Sequence, residues 1–108
     1  MRLPDDTLIA TEKLTGYLLK WRPADDKSTF LAEAGYTLEN AEKLMTDIRE
    51  QLLTLEAEMI EQTDYGPKYR IRGLITGPNG RALRVVTIWM SEEATRMTKL
   101  ITLFPDKT

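Results

Sequence analysis

The chain contains no histidine in 108 residues. That removes imidazole acid–base catalysis, histidine metal ligands and any Ser-His-Asp triad. It contains no cysteine either. Disulfides, thiol nucleophiles and cysteine-type zinc sites are therefore excluded, and a reducing cytoplasm suits the composition. No run of roughly 18 apolar residues occurs and no basic-then-apolar leader opens the chain, so neither a membrane span nor a signal peptide is expected. The acidic clusters lack the ligand spacing of a calcium loop, so no metal is expected, and no cofactor. Any chemistry must rest on Lys, Arg, Tyr, Asp or Glu.

What is present describes one ordinary globular domain, with 42% hydrophobic and 30% charged residues. The net charge is −2 and the sequence pI about 5.2. A nucleic-acid binder is usually basic overall, but local clustering outweighs the total. Here the acids gather in Asp5–Asp6, Asp25–Asp26 and between Glu39 and Asp64, and the bases between Lys68 and Arg84.

The clearest local signal is Gly77-Pro78-Asn79-Gly80-Arg81. Pro presets φ, Asn tolerates the tight second position, and Gly accepts φ > 0 at the third. The spacing predicts a three-residue hairpin loop, a type I turn closed by a bulge glycine, with Gly77 opposite Arg81. Counting outward, Arg72 faces Val86 and Arg70 faces Ile88. One face then carries Tyr69, Ile71, Ile75, Leu83, Val85 and Trp89. The other carries Lys68, Arg70, Arg72 and Arg84, with Val86 and Ile88 among them. A slip of one residue would mix these sets.

Upstream, Thr11 reads as the N-cap of a short helix over roughly Glu12–Lys20, with Leu14, Tyr17 and Leu18 on one side. Asp26 or Ser28 reads as the cap of a second, carrying Phe30, Leu31 and Ala34 and ending at Gly35. Thr37 caps a longer one, about Leu38–Leu53, whose Leu38, Ala41, Leu44, Met45, Ile48 and Leu52 keep helical spacing. Thr37 followed by Asn40 is a weak capping box. From Thr54 the period changes toward a strand, although a helix continuing to about Met59 is an alternative. A polar link at 91–96 precedes a last strand, Met97–Phe104. The fold expected is α+β: two or three N-terminal helices packed on one face of a roughly four-stranded antiparallel meander. Residues 11–53 form the helical half and 54–105 the sheet half of a single domain, 1–108. The helices cover the apolar face and leave the basic face open or lining a groove.

At Lys13-Leu14-Thr15-Gly16-Tyr17-Leu18-Leu19, at Lys27, Phe30 and Gly35-Tyr36, and at Tyr65-Gly66-Pro67-Lys68-Tyr69, the chain resembles an uncharacterised bacterial domain family. The resemblance continues through Arg72-Gly73, Thr76-Gly77-Pro78-Asn79-Gly80-Arg81, Thr87-Ile88-Trp89 and Leu100-Ile101-Thr102. That family is common in phage-related and toxin loci, and its helices-then-sheet order looks like the barnase–EndoU–colicin–RelE group of metal-independent ribonucleases. The resemblance implies a cytoplasmic RNA-cutting toxin domain, with a small neighbouring antitoxin or immunity protein as partner.

Such an enzyme must activate the ribose 2′-hydroxyl, stabilise a pentavalent phosphate and protonate the leaving 5′-oxygen. On this resemblance Lys27, Arg72, Arg84 and Thr102 are the catalytic candidates. Lys13, Lys68, Arg70, Arg81 and Tyr65 are the substrate-binding ones. A guanidinium fork matches phosphate oxygens, and Lys27 serves as acid or base if burial lowers its pKa. Tyr65 or Trp89 would stack a base. A plainer reading stands beside each. Alternating arginines also describe a solvated sheet face. Lys27 beside Asp25 and Asp26 suits a surface ion pair. Gly77–Arg81 suits a turn, Trp89, Tyr69 and Trp21 suit the core, and Met45, Met59, Met90 and Met97 suit gap-filling. The competing class of function is a non-catalytic interaction module, an antitoxin, immunity or adaptor protein, whose basic face binds an acidic partner.

Overall fold

The computed structural model describes residues 1–24 and 26–108. Among them, three helical segments precede a four-stranded antiparallel sheet in the order β1-β2-β3-β4. Helix α1 is Thr11–Lys13 continued by a wide π turn, Leu14–Leu18. Helix α2 is Ser28–Ala32. Helix α3 opens as a 3-10 turn, Leu38–Asn40, runs as α-helix over Ala41–Asp47 and ends in a π turn, Ile48–Leu52. The strands are β1 Glu58–Thr63, β2 Gly66–Thr76, β3 Ala82–Glu92 and β4 Met97–Pro105. Among the described residues no helix is long and apolar enough to cross a membrane.

The central hairpin has the expected register. Arg72 pairs with Val86, Arg70 with Ile88 and Thr76 with Ala82. Gly77 donates its N–H to the Arg81 carbonyl at 2.9 Å, and Gly80 takes the left-handed φ of 88°. The core face carries Ile71, Ile75, Leu83, Val85 and Trp89. These pack under Leu14 and Leu18 of α1, Leu31 of α2 and Leu44, Ile48 and Leu52 of α3, a single contiguous core. The two polar groups of that sheet face satisfy each other. Trp89 Nε1 donates to Thr87 Oγ1 at 2.7 Å, and Thr87 donates to the Ile71 carbonyl at 3.1 Å.

The Pro78-Asn79-Gly80 loop is itself a packing element. Asn79 donates from its backbone N–H to the Ala34 carbonyl at 3.3 Å and from Nδ2 to the Glu33 carbonyl at 3.0 Å. Gly35, at φ 94°, closes α2 there, and an added side chain would press on Pro78 and Asn79. Strand β1 reaches only Arg70 on β2, so the outer edge beyond it needs other partners. At Thr76 the α3 residue Gln51 supplies them, accepting from the backbone N–H at 2.7 Å and donating to the carbonyl at 3.0 Å.

Several local expectations are corrected. The helix α1 cap position is Ala10, with no side-chain cap, and Thr11 is the first helical residue. The capping box of Thr37 and Asn40 is complete. The stretch from Thr54 is neither a strand from its start nor a continued helix. A turn follows Leu52, and β1 begins at Glu58. Trp21 is 67% exposed rather than core, past the buried Leu19 where the chain leaves α1. Met59 and Met97 are exposed as well, one on the sheet edge and one at the start of β4.

Candidate functional site

The face opposite the core is built in cross-strand rows, because alternate residues of each strand share a face. One row runs Glu58, Arg70, Ile88, Thr102 across β1 to β4. The next runs Arg72, Val86, Phe104. A third pairs Leu74 with Arg84, and the Arg84 carbonyl accepts the N–H of Asp106 at 2.9 Å. Arg70, Arg72 and Arg84 therefore share this face, as the hairpin register implied.

The face is not a flat open sheet. The segment before α1 runs beside β4, with Leu8 bridged in parallel to Lys99. This carries α1 and the loop before α2 to the β4 side. There Tyr17 Oη lies 3.3 Å from Thr102 Oγ1. Residues 105–108 form part of the other wall. The result is a cleft of about 920 Å³. Its floor is Arg70, Arg72, Val86 and Ile88, and its walls include Tyr17, Lys27, Ile60, Thr102 and Phe104.

The α1 end of the cleft is dense in cations. Lys13 Nζ, Arg22 Cζ and Lys27 Nζ lie 5.5, 5.2 and 5.2 Å from the centre of the Tyr17 ring. Lys27 is only 7% exposed, which departs from a surface ion pair; Asp25, the other half of that expectation, lies outside the described residues. Asp26 fixes the backbone around Lys27. Its two carboxylate oxygens accept from the Ser28 and Thr29 hydroxyls, each at 2.7 Å, and from the backbone N–H groups of Arg22, Ser28 and Thr29. The Ser28 and then the Thr29 hydroxyl hold this carboxyl far below the usual carboxylate range.

At the β2 end the arginines have acidic neighbours. Arg70 is paired with Glu58 at 2.6 Å. Arg72 donates to the Thr108 hydroxyl at 3.5 Å. Asp106 is held below its ordinary range first by the Thr108 hydroxyl and backbone N–H, then by Arg72 and Arg84. Arg72, Leu74, Arg84 and Asp106 border a shallower hollow of about 310 Å³ beside the cleft.

The structure thus brings Lys27, Arg70, Arg72 and Thr102 into one cleft, with Arg84 at its edge. Lys13 is not among the lining residues and lies 5.5 Å from the centre of the Tyr17 ring. The rest are dispersed. Lys68 shares the face but pairs with Glu61 at 3.9 Å outside the cleft. Arg81 stands at the hairpin tip, 4.0 Å from Glu33. Tyr65 is exposed in the β1–β2 turn, and Trp89 is buried in the core. Tyr17, expected on the apolar side of α1, packs against the core and also lines the cleft. Its signal was the cationic flank, Lys13 and Arg22, at helical and loop distance around one tyrosine. Among the described residues no group of three or more Asp or Glu side chains is arranged to hold a metal ion.

A family model described as a domain of unknown function (DUF6883) matches residues 2–107. The chain belongs to that family. No curated protein and no solved structure matches it. The match spans the helices, the sheet and every cleft residue up to Lys107, so the cleft lies within the DUF6883 unit.

Proposed function

We propose that the cleft binds the phosphodiester backbone of RNA and that the domain is a metal-independent ribonuclease of the toxin kind. One observation carries this reading. Lys27, Arg72 and Thr102, from three distant segments, line the same cleft, together with Arg70 and the Tyr17 hydroxyl. In this reading the arginines neutralise the phosphoryl oxygens as charge builds on them. Lys27 or Tyr17 takes the 2′-hydroxyl proton while the 2′-oxygen bonds to phosphorus. The 5′-oxygen leaves with a proton from the other group, and a 2′,3′-cyclic phosphate remains. A small neighbouring antitoxin or immunity protein would act by covering this face in the cytoplasm.

The test is incubation of the purified protein with total RNA and tRNA in EDTA. New 2′,3′-cyclic phosphate ends, lost in Arg72→Ala, are expected. Clean absence of cleavage together with normal growth on overexpression overturns the reading.

A second reading, a non-catalytic interaction module, is favoured by Leu74, which is 56% exposed beside Arg84 on this face. An apolar side chain between charges suits a protein partner. Under that reading, substitutions at Arg72 and Arg84 change affinity for the partner and no RNA is cut.

A further inference from the structure

The cleft is not basic throughout. Arg70 and Arg72 line it on β2 and Lys27 lines it beside Tyr17 beyond β4, while Lys107 and the carboxylates Asp26 and Asp106 complete its charged lining. Between the arginines and Lys27 the floor is Ile88, flanked in its row by Arg70 and Thr102, and Val86, flanked by Arg72 and Phe104. From β2 to β4 is two strand spacings, about 10 Å. Phe104 and Ile60, on the two opposite outer strands, are 37% and 41% exposed and both line the cleft. Ile60 gets there through the β1 irregularity between Met59 and Glu61. A groove meant only to track phosphates would gain nothing from this apolar middle, because a phosphate laid over Val86 and Ile88 loses hydration without a donor in return.

We infer that Ile88, Ile60 and Phe104, around the buried Val86, form a base-binding subsite that takes one unstacked nucleobase, so that the ligand is single-stranded RNA and not a duplex. This rests on the ribonuclease reading above. A base inside a duplex has both faces covered by its neighbours, and an A-form helix offers only edges, hydroxyls and phosphates. An apolar floor gains area only from an exposed face. The cleft volume of about 920 Å³ lies within the range of sites that enclose small ligands, roughly 300–1,000 Å³. Charge complementarity sets the placement. The base lies over the apolar floor, and its flanking phosphates reach toward the arginines on one side and toward Lys27 on the other. Faces carry little sequence information, so the subsite is tolerant of base identity.

The experiment is fluorescence anisotropy with three probes at one salt concentration. They are a labelled single-stranded 2′-O-methyl oligoribonucleotide, the same strand in a duplex, and inorganic polyphosphate as competitor. The single strand is expected to bind about tenfold more tightly than the duplex, the size of one stacking contact. In Phe104→Ala and Ile60→Ala, both partly exposed and checked for unchanged melting, the ratio of single-strand to polyphosphate affinity should fall about tenfold for the pair together. Equal binding of strand and duplex, or a ratio unmoved by both substitutions, overturns the subsite while RNA cleavage in EDTA still stands. No binding to any probe and no cleavage overturns the subsite and the ribonuclease reading together.

Discussion

The Tyr17 hydroxyl meets the Thr102 hydroxyl at 3.3 Å across 85 residues of chain. This contact joins α1 to β4 on the cleft side of the sheet, while the Tyr17 side chain also packs against the hydrophobic core. It is the point where the helical half contributes a functional group to the sheet half. Three cations lie within 5.5 Å of the centre of the same ring, and the Asp26 carboxylate lines the cleft beside Lys27.

Tyr17→Phe keeps the ring, its packing and its cation contacts, and removes the hydroxyl alone. If this group moves a proton, kcat on RNA falls by about 100-fold with KM little changed. Melting temperature should stay nearly the same. A parallel loss of stability and activity would instead mark Tyr17 as a strut.

Arg72→Ala should lower turnover by about 100-fold or more, as removal of a single donor to a charged transition state does. Arg81→Ala should change it by less than about twofold, since an exposed pair is worth little and this one lies at the hairpin tip with Glu33. Both are basic residues of one hairpin, so the contrast separates cleft chemistry from general charge. Equal effects would point to non-specific attraction of RNA.

The hairpin, its faces and the helix order were legible because each has a short-range cause. Pro78-Asn79-Gly80 suits a three-residue loop, and separation of apolar from basic residues selects that register over a two-residue one, which sets the side of the sheet that Arg72 and Val86 occupy. The cleft was legible only in part. Lys27 and Thr102 line one cleft because the segment at Leu8 joins β4 and brings α1 to that edge, a long-range pairing with no local signal. Trp21 and Met59 were misplaced for a related reason. A lone hydrophobe after a helix, or on a strand that proves to be an edge, has no period to say which way it faces. Lys68 and Arg81 carry the right charge in the right hairpin and still fall outside the cleft, which begins where β1, β4 and α1 supply walls.

Gly77→Ala should destabilise the fold strongly, because a Cβ there would run into the Ala34 carbonyl oxygen. Overpacking against backbone costs about 1–3 kcal/mol. Gly80→Ala meets open space but keeps φ at 88°, which costs about 1–2 kcal/mol for a left-handed residue. Thermal denaturation should therefore rank Gly77→Ala below Gly80→Ala. The reverse order would mean that the hairpin tip does not dock on α2.

Tyr36 donates to Asp47 at 2.6 Å in the core between α2 and α3. Burial first, then the Asp47 hydrogen bond and charge, push its ionisation well above the ordinary 10.0. In the unfolded chain the phenol loses its proton near that ordinary value, while the folded chain retains it. The stabilising contribution is thus complete below about pH 10 and is lost as pH climbs toward the folded value. Melting temperature should fall more steeply above about pH 10 in the wild type than in Tyr36→Phe. At neutral pH the variant should be less stable by about 1–3 kcal/mol, the cost of leaving a buried acceptor short of a donor. Parallel alkaline profiles would show that Tyr36 does not carry this dependence.

On the ribonuclease reading, Asp106 stands on the ground proposed for an RNA phosphate. It borders both the main cleft and the hollow beside Arg84. Its carboxyl is held ionised chiefly by Thr108 and further by Arg72 and Arg84. A fixed carboxylate there screens the two arginines and repels a phosphate at once. Asp106→Asn removes the charge and keeps the side-chain shape. Binding of a single-stranded 2′-O-methyl oligonucleotide should tighten several-fold. If about one more cation becomes available to phosphate, the plot of log affinity against log salt should steepen by about 0.7. Because the folded carboxyl ionises below its ordinary value of 3.8, wild-type affinity should show no gain from Asp106 on acidification to about pH 5. Unchanged affinity and slope in Asp106→Asn would mean that RNA does not approach Arg72 and Arg84 from this side, and would shift the phosphate site toward Arg70 and Lys27.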